Sequence, residues 1–312
     1  METKIIVLTP VKNEAWILDL FLKITSQFAD HILLADQHST DATLEIASKY
    51  AKVIVIENKN QAYDEAYRQQ LLIEKARELF PTNKRIFIAL DADEIISADG
   101  IQSQDWETIR STPINTTLYF EKPDLYLSTD KTIRYETNFW PLGFVDDVST
   151  NHEAQLIHSI RVPQSEQKVY LNTIKFLHLA YLRPNIQRAK FRFYTVKENV
   201  AKVNPWYRRR KWYRSPNHLV QHATVVETPT SWLNYTDGKL LDAVKDTNET
   251  WHNLNILENL QKHGSVRFWF DDIWDIDWQK YQQQFDPTAA TKITPPPALL
   301  RFVLRLFDKI YQ

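Results

Sequence analysis

Arg85-Ile86-Phe87-Ile88-Ala89-Leu90-Asp91-Ala92-Asp93-Glu94 is an apolar strand that ends abruptly in three carboxylates. Alternate residues of a strand share a face, so Asp91 and Asp93 are expected to point together at one spot just past the buried run. Hard oxygen ligands placed this way suit Mg2+ or Mn2+, which are held by one or two carboxylates together with substrate phosphates. The alternative is a solvated strand end that opens a helix. The stretches upstream bear on the choice.

Lys4 to Leu8, His31 to Ala35 and Lys52 to Ile56 read as three further buried strands beside Arg85 to Leu90. Between them, Glu14 to Phe28 sets Trp16, Leu20, Ile24 and Phe28 at helical spacing. Thr40 to Tyr50 opens on Ser, Thr and Asp cap residues, and Gln61 to Phe80 is a longer polar helix. Strands alternating with helices predict an α/β fold: a mainly parallel central sheet flanked by helices, with ligands bound beyond the carboxyl ends of its strands. Thr9 to Glu14, Asp36 to Asp41 and Asp91 to Glu94 each follow such an end, so three polar clusters are expected along one edge.

From Thr116 to His178 the pattern changes to short strand-like pieces: Thr116 to Glu121, Leu125 to Ser128, Leu156 to Val162 and Ile174 to Leu179. These suggest a mixed or antiparallel extension. A basic helix is expected from Pro184 to Val200, then a tryptophan-rich, mostly helical segment over 206–285. Thr294-Pro295-Pro296-Pro297 ends regular structure and introduces a final helix, Ala298 to Tyr311.

Bulk properties narrow the function classes. The chain has 312 residues, 43% hydrophobic and 25% charged, enough for a sizeable core. A net charge of −1 gives the whole molecule no bias towards nucleic acid. The absence of cysteine excludes disulfides, thiolate metal sites and a cysteine nucleophile. No signal-peptide pattern and no apolar run of spanning length are visible, so a cytoplasmic location is the default expectation. None of Gly100, Gly143, Gly238 and Gly264 lies where a phosphate-cradling glycine loop needs it, and the Walker and dinucleotide fingerprints are absent. A nucleotide bound here would have its phosphates held by metal and side chains.

Three stretches together carry a resemblance: Thr9-Pro10-Val11-Lys12-Asn13-Glu14, Asp36-Gln37-His38-Ser39-Thr40-Asp41-Ala42-Thr43, and Leu90-Asp91-Ala92-Asp93-Glu94. In this order and at these spacings the set resembles the amino-terminal half of family 2 glycosyltransferases of the GT-A fold, closely over residues 3 to 100 and more loosely to 200. The resemblance implies that Pro10, Asn13, Glu14 and Asp36 surround a nucleotide base, that Asp91 contacts ribose or metal, and that Asp93 ligates a metal bridging the donor's two phosphates. A carboxylate is a natural acceptor for an imide N–H, which agrees with a uracil. Asn13 and Glu14 also read as helix-capping residues, Asp41 as a cap, and Glu94 as a brace for its loop. Gln37, His38 and Ala42 stand where Asp, Gly and Gly are common, which puts the chain nearer a subgroup similar to lipopolysaccharide-core glucosyltransferases than to processive synthases.

The same resemblance extends to Asn151-His152-Glu153 and to His178, which precedes a Lys-x-x-x-Tyr helix, here Lys190 to Tyr194. An inverting transfer needs a carboxylate that takes the proton of the acceptor hydroxyl. Glu153 is the candidate, with Asp146 and Asp147 as substitutes; a surface carboxylate in a turn is the competing reading. His178 is either a core histidine on an apolar strand or a metal ligand distant in sequence. His152 and His158 have weaker claims.

The densest basic stretch, Trp206-Tyr207-Arg208-Arg209-Arg210-Lys211-Trp212-Tyr213-Arg214, reads either as a surface that grips a diphosphate, stacks on a sugar, lies on lipid headgroups or binds nucleic acid, with acidic glycan or membrane ahead of nucleic acid, or as a solvated helix face with aromatics packed beneath. In the terminal helix Arg301, Arg305 and Lys309 recur at intervals of four against Leu300, Val303, Leu304, Phe307 and Ile310, which suits either a membrane interface or packing on the protein's own body. The division expected is 1–200 for a nucleotide-sugar-binding catalytic domain, 201–294 for a helical extension shaping the acceptor side, and 295–312 for the amphipathic helix. The reading is thus a glycosyltransferase using a nucleotide-diphosphate sugar, UDP-sugar favoured, and Mn2+ or Mg2+, acting on a glycan or lipid-linked glycan, with no nucleic acid partner and a possible peripheral membrane contact through 298–311. Its rivals are a nucleotidyltransferase on a similar sheet and a non-catalytic glycan- or membrane-binding module.

Overall fold

The computed structural model describes residues 2–60, 64–135, 138–153, 155, 159–214, 223–235, 241, 244, 251–288 and 291–310. His158 and Tyr311 lie outside them. By packing, the chain forms two compact units, Met1–Leu182 with Val225–Lys245, and Arg183–Thr224 with Asp246–Gln312.

The first unit is built on four parallel strands, β1 (Thr3–Val11), β2 (His31–Asp36), β3 (Val53–Glu57) and β4 (Lys84–Ala89). In β1, β2 and β4 the apolar residues do not alternate with polar ones because both faces of the sheet are covered there. Ile5 and Val7, Ile32 and Leu34, and Ile86 and Ile88 enter one core with α1 (Leu18–Thr25). Ile6 and Leu8, Leu33 and Ala35, and Phe87 and Ala89 enter the other with Leu72, Ile73 and Ala76 of α3 (Glu65–Leu79). The second helix, α2, is one short stretch, Thr43–Ala47.

Register puts the carboxyl ends side by side. Val11 pairs with Asp36, Asp36 with Glu57, and Leu8 with Ala89. The sheet continues past β4 through β9 (Phe139–Val145), β6 (Thr116–Glu121) and β10 (Lys168–His178). β9 is antiparallel to both β4 and β6, and β10 is parallel to β6, so β4, β6 and β10 run the same way and end at the same edge. Two short strands meet the end of β10 there. β5 (Glu94–Ile96) pairs antiparallel, with His178 opposite Glu94, and β7 (Asp124–Leu125) pairs with His178 opposite Asp124. β8 (Lys131–Arg134) and β11 (Thr224–Glu227) finish that side.

Two differences from the sequence reading have local causes. The strand expected over Leu156 to Val162 is absent from its described part, 159–162, which is a loop pinned by side chains: the Ser159 N–H donates to Glu65 at 3.0 Å. The antiparallel strand is β9 instead, disguised in the sequence by Pro141 and Gly143. Pro141 sits where the β6 register shifts, an irregularity that tolerates a missing N–H, and a Cβ on Gly143 would meet the Leu118 Cβ at 3.0 Å. Helix α4 (Asp105–Ser111) and the short α7 (Thr230–Leu233) complete this unit, and the Tyr235 hydroxyl donates to the Ile96 carbonyl at 2.6 Å.

The second unit holds α5 (Pro184–Ala201), α6 (Trp206–Trp212), α8 (Trp251–His263), α9 (Trp278–Phe285) and α10 (Ala298–Ile310). Pro184 opens α5 where its missing N–H costs nothing, and Lys202 closes it in the left-handed region at φ 55°. Much of the basic stretch is internal. Arg209 pairs with Asp271 at 2.6 Å, and Arg210 and Arg214 with Asp308 at 2.6 and 3.2 Å. Arg209 and Arg210 are buried in these pairs while Tyr207 and Trp212 are half exposed, the reverse of a solvated helix face over packed aromatics, because each buried guanidinium has a carboxylate waiting inside the unit.

Candidate active site

Thr9 to Glu14 and Asp36 to Thr43 form one laced assembly beyond β1 and β2. Asn13 takes the left-handed region at φ 57°, its N–H donates to Ser39 Oγ at 2.9 Å, and its side-chain oxygen accepts the Thr40 N–H at 2.7 Å. The Glu14 N–H donates to Thr43 Oγ1, and the Glu14 carboxylate accepts Trp16 Nε1–H at 2.7 Å. Asp41, one residue before the Ala42 N-cap of α2, accepts the Thr43 N–H at 3.0 Å and ties back to the Ala15 N–H at 3.1 Å. Asn13, Glu14 and Asp41 therefore shape the turns, whatever else they contact. Asp36 is buried at the end of β2, its carboxylate accepting the Ser39 N–H at 3.3 Å, and Pro10 pairs with Ala35 one step back.

The acidic turn after β4 is organised by its most buried member. Glu94 accepts the Asp91 N–H at 3.0 Å, Lys122 Nζ at 3.0 Å and Arg161 at 2.5 Å, so it braces the loop. Burial pushes its carboxyl up, but Arg161, then Lys122 and His178, outweigh this and hold it well below the ordinary carboxylate range. Arg161 also reaches Asp91 Oδ2 at 2.6 Å, making one guanidinium the bridge between both carboxylates.

Asp93 faces His178. His178 Nε2 stands 3.7 Å from Asp93 Oδ2, while His178 Nδ1 bonds Asp124 Oδ1 at 2.5 Å. Asp124 in turn accepts the Tyr135 hydroxyl at 2.6 Å. Burial raises the Asp124 carboxyl, yet the hydrogen bond and charge of His178 leave it below its usual value. As a metal ligand the ring would be neutral, with Nδ1–H donated to Asp124 and the Nε2 lone pair towards the Asp93 carboxylate. Two lone-pair donors facing each other across this gap fit a divalent cation between them, and the carboxylate behind the histidine is the arrangement that orients a metal-bound imidazole. Among the described residues no group of three or more His, Cys, Asp or Glu side chains could hold a metal unaided.

Glu153 is exposed, in the loop that later delivers Arg161 to the acidic turn. Its substitutes are otherwise engaged. Asp146 is buried between Arg77 at 2.7 Å and Arg85 at 2.8 Å, and Asp147 accepts the Thr150 N–H in a tight turn. His152 bonds the Ile160 carbonyl through Nε2, a structural role inside the same loop. Sequence reasoning missed Arg161, Lys122, Asp124 and Tyr135. A buried Glu94 demanded cations, but nothing local says which ones arrive.

Residues 6–104, which run from β1 to the end of the acidic turn and beyond, match the model of glycosyl transferase family 2. Over that segment, about a third of the chain, the sequence is similar to family 2 glycosyl transferases. It holds the parallel strands β1 to β4 of the α/β sheet and the acidic turn that follows them. No curated protein matches the chain. Among solved structures, glucosyl-3-phosphoglycerate synthase from Mycobacterium tuberculosis, in complex with Mn2+, uridine diphosphate and glucosyl-3-phosphoglycerate, is 18% identical over 30% of this chain and 34% of its own, with a TM-score of 0.23. TarS of S. aureus is 13% identical over 100% of this chain and 54% of its own, with a TM-score of 0.40. A glycosyltransferase involved in glycosylation of the major capsid of PBCV-1 is 15% identical over 46% of this chain and 60% of its own, at 0.27. The chain spans between a third and three fifths of the length of these structures.

Proposed function

We propose that the protein moves a sugar from a nucleoside-diphosphate sugar, with UDP favoured, to a glycan or lipid-linked glycan, with inversion and with Mn2+ or Mg2+. The observation that carries this is the edge shared by Asp36, Asp91, Asp93 and His178, assembled by strand register around a segment similar to family 2 glycosyl transferases. Asp36 accepts the base N–H, with Pro10, Asn13 and Glu14 forming the surrounding turn. Asp93 and His178 hold the metal, and Asp91 joins them or binds the ribose. When bound, the metal neutralises the charge developing on the diphosphate.

Glu153 takes the proton of the acceptor hydroxyl as that oxygen attacks the anomeric carbon. The bond from that carbon to the diphosphate breaks, and its electron pair leaves with the nucleoside diphosphate. Arg161 shares Asp91 and Glu94, a guanidinium well suited to turn towards diphosphate oxygens. Trp140 supports a glycan acceptor: it is 49% exposed at the amino end of β9, and Lys122, the partner of Glu94, lies 4.8 Å from its ring centroid. An exposed indole beside the acidic turn is a stacking platform for a sugar ring. Gln37 and His38 in the second loop support a non-processive enzyme similar to the lipopolysaccharide-core subgroup.

The deciding experiment is calorimetry with uridine diphosphate, with and without Mn2+, followed by a panel of nucleotide sugars assayed for transfer or hydrolysis. Metal-dependent binding and turnover of one donor are expected. Binding indifferent to metal, with no turnover of any donor, would leave a non-catalytic module.

A further inference from the structure

Helix α10 has two apolar faces, and only one is used. Leu304 is buried, Phe307 stacks near Trp206 at 5.0 Å between ring centroids, and Asp308 is gripped by Arg210 and Arg214. These residues fasten the helix to its own unit. On the other side Leu299, Phe302, Val303, Leu306 and Ile310 are between 45% and 76% exposed. At 3.6 residues per turn those five fall within an arc of about 100°. Arg301, Arg305 and Lys309, all exposed, occupy the adjoining arc, between Asp308 and Phe302. The only acid of the helix is the one neutralised by Arg210 and Arg214.

We infer that this face of α10 docks in the interfacial layer of an anionic lipid bilayer, its five apolar side chains entering the acyl boundary and Arg301, Arg305 and Lys309 meeting the headgroups. The charge pattern selects this occupant. A cationic arc flanking an apolar one complements an anionic surface. An antiparallel second copy of the same face would set three cations against three cations, which disfavours that pairing. No helix of the described chain is long and apolar enough to cross a membrane, so the contact is with one leaflet surface. Anchoring is reversible, because one helix face and three cations are a modest attachment. The inference is independent of the transfer reaction and its readout involves no sugar donor.

The test is flotation of the full chain with vesicles of phosphatidylcholine mixed with phosphatidylglycerol, against phosphatidylcholine alone. Binding to the mixed vesicles is expected, weakened by salt, and roughly a hundredfold weaker on the neutral ones. The triple variant Leu299→Asn, Phe302→Asn, Leu306→Asn is expected to abolish flotation while keeping the wild-type thermal transition, since all three side chains are exposed. Arg301→Glu with Arg305→Glu is expected to remove the preference for anionic lipid. Wild-type protein that does not float, or a triple variant that floats unchanged, overturns the inference. So does a concentration-dependent dimer that the triple variant dissolves in a protein that ignores vesicles.

Discussion

His178 at the end of β10 and Asp93 in the turn just before β5 approach to 3.7 Å with Asp124 bonded to the far side of the imidazole. Asp93→Asn is expected to abolish metal-dependent donor turnover while the thermal transition stays near wild type. Asp124→Asn acts one step further out and is expected to weaken Mn2+ binding roughly 10- to 100-fold, the usual cost of removing an outer-shell partner. Mn2+ titrations of both variants in the presence of uridine diphosphate decide this. Unchanged affinity in both would remove the metal role from the pair.

Arg161 and Glu94 are expected to be a stability pair. Removing Arg161 leaves a buried carboxylate with Lys122 as its main cation, and breaking a buried pair costs about 3–5 kcal/mol. Arg161→Met should therefore unfold at lower denaturant, and Arg161→Met with Glu94→Gln should recover much of the loss. If the double variant is no more stable than the single one, the two side chains do not act as a couple.

Trp140→Ala is expected to raise the KM for the glycan acceptor about tenfold, equivalent to about 1.4 kcal/mol. Its donor affinity, read by titration with uridine diphosphate, should not move. A change confined to donor binding would instead make Trp140 part of the nucleotide pocket.

Acid sensitivity of the second unit should trace to Asp275. Burial raises its carboxyl, but Arg188 at 2.9 Å and Arg192 at 2.7 Å more than offset this and lower it below the ordinary 3.8. A carboxylate depressed in the folded state stabilises above its unfolded pKa, and the contribution is lost as pH falls through the folded value. Asp275→Asn should thus be less stable than wild type at neutral pH, and the gap should close only below pH 3.8. Denaturation curves at a series of pH values give the answer; a gap that widens in acid contradicts it.

Glu153→Gln should lower kcat strongly with little change in donor affinity, if it is the base. Retained turnover would pass the role to another group of the same loop.

The first hundred residues were legible because their information is local. Unbroken apolar runs such as Ile5 to Leu8 and Ile86 to Ala89 demand a sheet covered on both faces, and the polar turns that follow must then share its carboxyl edge. β9 was not legible, since Pro141 and Gly143 look like breakers until the bulge and the close approach of Leu118 are seen. Chemistry at the edge divided the same way. Asp36, Asp91 and Asp93 can be read from their position after strands, whereas Arg161, Lys122 and Asp124 reach the acidic turn or His178 only through long-range pairing.

By itself, then, the order of residues determined an α/β sheet with an acid-lined edge and an amphipathic last helix, because periodicity and strand ends are properties of neighbours along the chain. Tertiary structure alone decided which cations hold Glu94, which carboxylate backs His178, and which face of α10 meets solvent. Those outcomes depend on what distant segments bring to one place, and burial of a charge sets only the need for a partner, never its address.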